Sequence, residues 1–114
     1  MNVFDNKDGN LRDSWWQAAS GWHVQVIASG IVGSPSAITR DSNSMDVFYQ
    51  STSGNLMDAW WNPTTGWHSQ VLGGGDAGSP SAVANNAGWM NVFYLNSSGN
   101  LANAWWQTSS GWHV

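Results

Sequence analysis

The chain of 114 residues repeats itself every 45 residues, and no other feature limits its fold as strongly. Trp15-Trp16, Trp60-Trp61 and Trp105-Trp106 recur at that interval, as do Gly21-Trp22-His23, Gly66-Trp67-His68 and Gly111-Trp112-His113. So do Gly9-Asn10-Leu11, Gly54-Asn55-Leu56 and Gly99-Asn100-Leu101, and Gly33-Ser34-Pro35-Ser36-Ala37 returns as Gly78-Ser79-Pro80-Ser81-Ala82. Between 46–69 and 91–114, 13 of 24 positions are identical, and the one length change is a residue missing between Val3 and Leu11.

Within one repeat every local signal is strand or turn. Ser36-Ala37-Ile38-Thr39 follows a proline and reads as a short first strand; Met45 to Gln50, aromatic and β-branched, reads as a second. Ser51-Thr52-Ser53-Gly54-Asn55 is a hairpin turn, Leu56 to Trp61 a third strand, Asn62 to Gly66 another turn, and Trp67 to Leu72 a fourth strand. Apolar residues nowhere recur at helical spacing for three turns. Four short strands in about 40–50 residues are the signature of a β-propeller blade, a four-stranded antiparallel sheet covered on both faces by its neighbours. That cover lets adjacent Val47 and Phe48, which point to opposite faces, both be apolar.

The length is two repeats and a remainder of 24 residues, about 2.5 blades. Residues 1–33 carry the second to fourth strands of a partial blade, 34–78 a full blade, and 79–114 a blade cut short at its last strand. A propeller closes at four or more blades, so the expectation is either a fragment of a longer propeller or a ring closed by oligomerisation. Two copies supply 228 residues against 225 for five blades, and three supply 342 against 315 for seven or 360 for eight. A dimer or a trimer therefore fits best. Close repeats and ends at arbitrary blade positions also fit a constructed or trimmed protein.

Composition narrows the chemistry. Three Lys and Arg against seven Asp and no Glu give a net charge of −4, which sets aside nucleic acid, whose phosphates need clustered positive charge. No apolar run approaches the roughly 20 residues that span a bilayer, so no membrane insertion is expected. Without cysteine there is no disulfide or thiolate site, and the compartment cannot be read. His23, His68 and His113 lie on three different blades, too far apart to ligate one ion, and read as capping residues that hydrogen-bond a neighbouring backbone group. Asp41-Ser42-Asn43-Ser44 and Asp76-Ala77-Gly78 resemble calcium loops only in composition, and turn chemistry accounts for them. No metal and no cofactor is expected. Glycoside hydrolysis needs two carboxyls in unlike environments, whereas Asp13 and Asp58 share one repeat position, occupied by Asn103 in the third repeat. A residue used once per blade is the pattern of multivalent binding, not of an enzyme.

Ten Trp in a chain this short exceed what a core needs. One Trp of each pair packs between blades, and the other presents its face at an inter-blade cleft, where the C–H face of a sugar can stack while Asp, Asn, Ser and backbone groups take the hydroxyls. The other reading is a self-assembling propeller scaffold or fragment in which every Trp is structural.

Met45-Asp46-Val47-Phe48, Gly54-Asn55-Leu56, Ala59-Trp60-Trp61 and Gly66-Trp67 together resemble the repeat of the PLL-like propeller lectins, with tectonin-type repeats more distant. The resemblance covers the whole chain. It implies a carbohydrate-binding lectin for fucosylated or O-methylated glycans, secreted or acting at a cell surface. Small bacterial fucose lectins of two repeats, which trimerise into a ring, are similar in scheme. The resemblance also implies that Trp61 and Trp67, Trp16 and Trp22, and Trp106 and Trp112 form aromatic walls, that Asp13 and Asp58 accept hydroxyls, and that Tyr49 and Tyr94 contribute. The sequence departs at arginine: Arg12 matches Met57 and Ala102, and Arg40 matches Asn85, so no charged clamp recurs and a more apolar, methylated sugar is easier to hold.

Overall fold

In the computed structural model, which describes residues 2–41 and 44–114 apart from the side chain of Arg40, the described residues form eleven strands in three antiparallel sheets. The first sheet is β1 (Asn2–Lys7), β2 (Asn10–Gln17) and β3 (Gly21–Ser29). The second is β4 (Ile31–Asp41), β5 (Ser44–Ser51), β6 (Asn55–Asn62) and β7 (Gly66–Gly74); the third is β8 (Ser81–Asn86), β9 (Trp89–Leu95), β10 (Leu101–Gln107) and β11 (Gly111–His113). Each is a meander, so the chain is an open stack of propeller blades. No helix is long and apolar enough to cross a membrane among the described residues.

The turns follow from glycine. Gly54 and Gly99 take φ of 78° and 82° at the β5–β6 and β9–β10 hairpins, a region closed to most L-residues. The first strand of the full blade departs from expectation. It begins at Ile31, ahead of the proline and of residue 34, and its pairing with β5 jumps between Val32 and Ser36. Pro35 has no N–H to give the ladder, and Gly33 at φ 73° carries the irregularity. A Cβ on Gly33 would lie 2.5 Å from Ser79 Oγ of the next blade.

Side chains of one strand serve two different cores. Phe48 joins Leu56, Met90, Val92, Tyr94 and Ala104 between the second and third sheets. Its neighbour Val47 joins Leu11, Ile31, Tyr49 and Ala59 between the first and second. Phe48, Val47, Leu11 and Leu56 are fully buried, each contributing roughly 1.5–3 kcal/mol. Backbone rungs tie the blades at the same interval: Ile31 N–H to Gly9 O at 3.1 Å and Asp76 N–H to Gly54 O at 2.9 Å, Thr52 N–H to Gly30 O at 2.8 Å and Ser97 N–H to Gly75 O at 2.7 Å.

Candidate functional site

The two Trp of each pair, adjacent on a strand, point to opposite faces of their blade. Trp61 lies opposite Trp67 in the β6–β7 register, as Trp16 lies opposite Trp22 and Trp106 opposite Trp112. Between the first and second sheets, Trp61 and Trp67 wall an open cleft of about 670 Å³. Its other side comes from the first sheet: Asn2, Asp13, Trp15, Gln17 and Gln25, with Thr39, Asp41 and Met45 completing the rim. Aromatic surface from one blade thus faces a carboxyl and amides from its neighbour.

Asp13 is 3% exposed, and both its oxygens accept from Asn2 Nδ2 at 3.0 Å. Burial raises its pKa above the ordinary carboxylate value, and the Asn2 hydrogen bond opposes that shift in part. The next blade repeats this arrangement with different residues. Asp58 is 1% exposed and accepts from Gln70 Nε2 at 3.4 Å, while Asp46, at the repeat position of Asn2, is 3% exposed. In the third blade both positions are amides, and Asn91 Nδ2 donates to Asn103 Oδ1 at 3.2 Å.

The first Trp of each pair has a fixed partner. Trp15, Trp60 and Trp105 stack on His23, His68 and His113 with ring centroids 5.3, 5.1 and 5.1 Å apart. Each histidine Nε2 shares a hydrogen bond with a turn hydroxyl, of Ser20 and Thr65 at 2.6 Å and of Ser110 at 2.7 Å. The histidines therefore cap the outer turn through a side-chain hydroxyl, where a backbone partner was expected. No group of three or more metal-ligating side chains occurs among the described residues. Asp76 Oδ1 accepts from Gly78 N–H at 3.2 Å and Asp41 Oδ1 from Ser44 Oγ at 3.1 Å; Ser42 and Asn43, of the second calcium-like stretch, lie outside the described residues.

The candidate residues do not share one environment. Trp16 and Trp22 are 48% and 55% exposed on the outer face of the first sheet, against which no blade packs. Trp67 also meets the edge of Phe4 at 5.8 Å, and Trp112 the edge of Phe48 at 5.6 Å, so the Gly-Trp residues are packing and wall together. Trp106 and Trp112 pack against the core between the second and third sheets. Tyr49 and Tyr94 are 3% and 5% exposed inside the two cores, where the phenol rings fill space between blades. Sequence reasoning missed Asn2, Gln17, Gln25 and Trp15 as cleft residues. Asn2 was legible in its hairpin register with Trp15, but the side that each blade contributes is set by packing.

No protein-family model matches the sequence, and no curated protein does either. Solved structures do. A fucose lectin from Kordia zhangzhouensis, determined with methyl-fucoside, superposes with a TM-score of 0.78 at 17% identity over 99% of this chain and 87% of that one. A lectin from Burkholderia pseudomallei superposes with a TM-score of 0.81 at 20% identity over 99% of this chain, which spans 36% of the Burkholderia chain. The fold is that of the propeller lectins.

Proposed function

We propose that the chain is a carbohydrate-binding lectin, without catalytic turnover, that holds fucose or an O-methylated sugar in its inter-blade clefts. The observation that carries this reading is the cleft between the first two sheets, where Trp61 and Trp67 face Asp13 and the amides of Asn2, Gln17 and Gln25. A sugar stacks its C–H face on the indoles and gives its hydroxyls to acceptors already oriented by their own hydrogen bonds. Arg12 is engaged with Asp5, at 2.7 Å, on the opposite face of the first sheet, so no guanidinium of that strand reaches the cleft. This favours a sugar with apolar substituents. Asp41 at the rim is a second acceptor. Closure of several copies into a ring multiplies such sites and raises apparent binding without new contacts.

Titration of the purified chain with methyl-fucoside and with O-methylated fucosides, read by native mass spectrometry, tests this. Uptake of sugar in whole equivalents per chain, with no free sugar released on long incubation, is the expected result. The edge contacts of Trp67 and Trp112 on Phe4 and Phe48 favour a second reading, in which the repeated Trp only pack the blades of a scaffold. A folded protein that takes up none of these sugars establishes it.

A further inference from the structure

The two cores between blades are built from positions 45 residues apart, and one of those positions changes from apolar to acidic. Between the first and second sheets the core is Leu11, Ile31, Val47, Tyr49 and Ala59. Between the second and third, Leu56, Val92, Tyr94 and Ala104 repeat four of these. Where Ile31 recurs the chain has Asp76, which is 3% exposed. The backbone rung is the same at both places, Ile31 N–H donating to Gly9 O at 3.1 Å and Asp76 N–H to Gly54 O at 2.9 Å. The carboxyl itself is half satisfied. Its Oδ1 accepts from Gly78 N–H at 3.2 Å, and its Oδ2 is buried with no hydrogen-bond partner among the described residues.

We propose that Asp76 is a proton-controlled latch between the second and third blades. Holding its proton, it fills the place of Ile31 as a neutral acid; on losing it, the carboxylate takes up water and frees the β7–β8 connection from the third sheet. The latch is independent of what the clefts hold. Several contacts release together, because Asp76 O accepts from Gln50 Nε2 at 3.0 Å, Ala77 N–H donates to Leu95 O at 2.8 Å, and Asp76 itself bridges Asn96. The groups around Asp76 give a charge no relief. Gln50 and Gly54 of the second sheet and Leu95 and Asn96 of the third are neutral. The titratable groups on the strand faces that pack there are Tyr94 of β9, Asp58 of β6, which is paired with Phe48, and Asp46 of β5, so the charges available are of the same sign. Burial raises the pKa of Asp76, and the Gly78 N–H opposes that shift in part. A group so raised contributes stability in full below its unfolded value, and that contribution is lost as pH rises through the folded value. The second interface therefore weakens on the alkaline side, while the first, with Ile31 in that place, lacks this source of weakness. Asp13 in the first cleft is also raised, but replacing Asp76 leaves it untouched, so variants at residue 76 isolate the latch.

Amide hydrogen exchange on the chain without sugar, converted to protection factors between about pH 4 and 8, reads the latch bond by bond. The amides of Asp76, Ala77 and Ser97 report the second interface, and those of Ile31 and Thr52 report matching bonds of the first. The expected result is that protection at the second interface falls roughly tenfold or more relative to the first as pH rises, and that Asp76→Ile and the closer-shaped Asp76→Asn both abolish the divergence. Protection that stays in step at the two interfaces across the range, or a divergence that survives both substitutions, overturns the latch. So does a divergence that millimolar calcium chloride alone removes, since the carboxyl then takes a cation and not a proton. Because no sugar is present, failure here leaves the lectin reading standing, and failure to bind sugar leaves the latch standing.

Discussion

The first and second blades present the same pair of positions to their following neighbour, but not the same chemistry. In the first, Asn2 donates to buried Asp13; in the second, two carboxyls, Asp46 and Asp58, occupy those positions at 3% and 1% exposure. The third blade shows the neutral version, with Asn91 donating to Asn103. One backbone frame therefore supports an amide–carboxylate pair, two carboxyls or two amides. What distinguishes the blades is charge on a shared backbone frame.

The comparison can be broken most heavily at the core that supports it. Phe48→Ala, in a fully buried position between four-stranded sheets, lowers stability by about 3–5 kcal/mol in chemical denaturation. Phe4→Ala, half-buried on the three-stranded sheet, lowers it by less than half as much; equal losses would show that the two interfaces are energetically alike. Trp61→Ala removes the wall of the cleft between the first and second sheets, so one sugar equivalent per chain is lost, at a cost to binding of about 2 kcal/mol or more, while the fold is kept. A calorimetric titration that still shows this equivalent at native affinity would remove Trp61 from the binding surface.

Asp46→Asn recreates in the second blade the amide–carboxylate pair of the first. It raises stability at pH 7 by about 1 kcal/mol in thermal or urea unfolding, because burying an amide costs less than burying a second carboxyl. Asp13→Asn acts in the opposite sense on the two readouts. The raised pKa of Asp13 means that the folded state binds its proton more readily than the unfolded chain, so its contribution to stability falls as pH rises through the folded value. Replacing it relieves a cost of burial at neutral pH, an advantage that fades once the pH drops below the ordinary carboxylate value. Sugar binding at the first cleft is weakened by the same change. Asp5, whose pKa is lowered by its hydrogen bond to Arg12, has the contrary sign, losing its contribution as pH falls through its folded value, and being exposed it gives the smallest effect.

Much of this was legible in the sequence. The period of 45 residues, the Gly-Asn turns and the adjacent apolar pair Val47-Phe48 specify four-stranded blades with two buried faces, and both faces are found buried. What was not legible depends on contacts between repeats. Strand alternation places Trp60 and Trp61 on opposite faces, but only packing assigns Trp61 to the cleft with Asp13 and pairs the preceding Trp with histidine. Tyr49 enters the candidate set through the family resemblance, whereas its place in the core with Leu11 and Ala59 is set by packing between blades. The start of β4 was misplaced because Pro35 reads as a boundary, whereas the strand passes it with an irregular register.

The imidazole that lies flat on Trp15, Trp60 and Trp105 has a photophysical consequence. An imidazole lying against an indole face takes that face out of contact with water and fixes its surroundings. Ligand entering the first cleft therefore perturbs Trp15, Trp61 and Trp67, while the stacked Trp60 and Trp105 lie outside its lining. The molecule carries an occupancy signal, and an internal reference for it, in its own native emission.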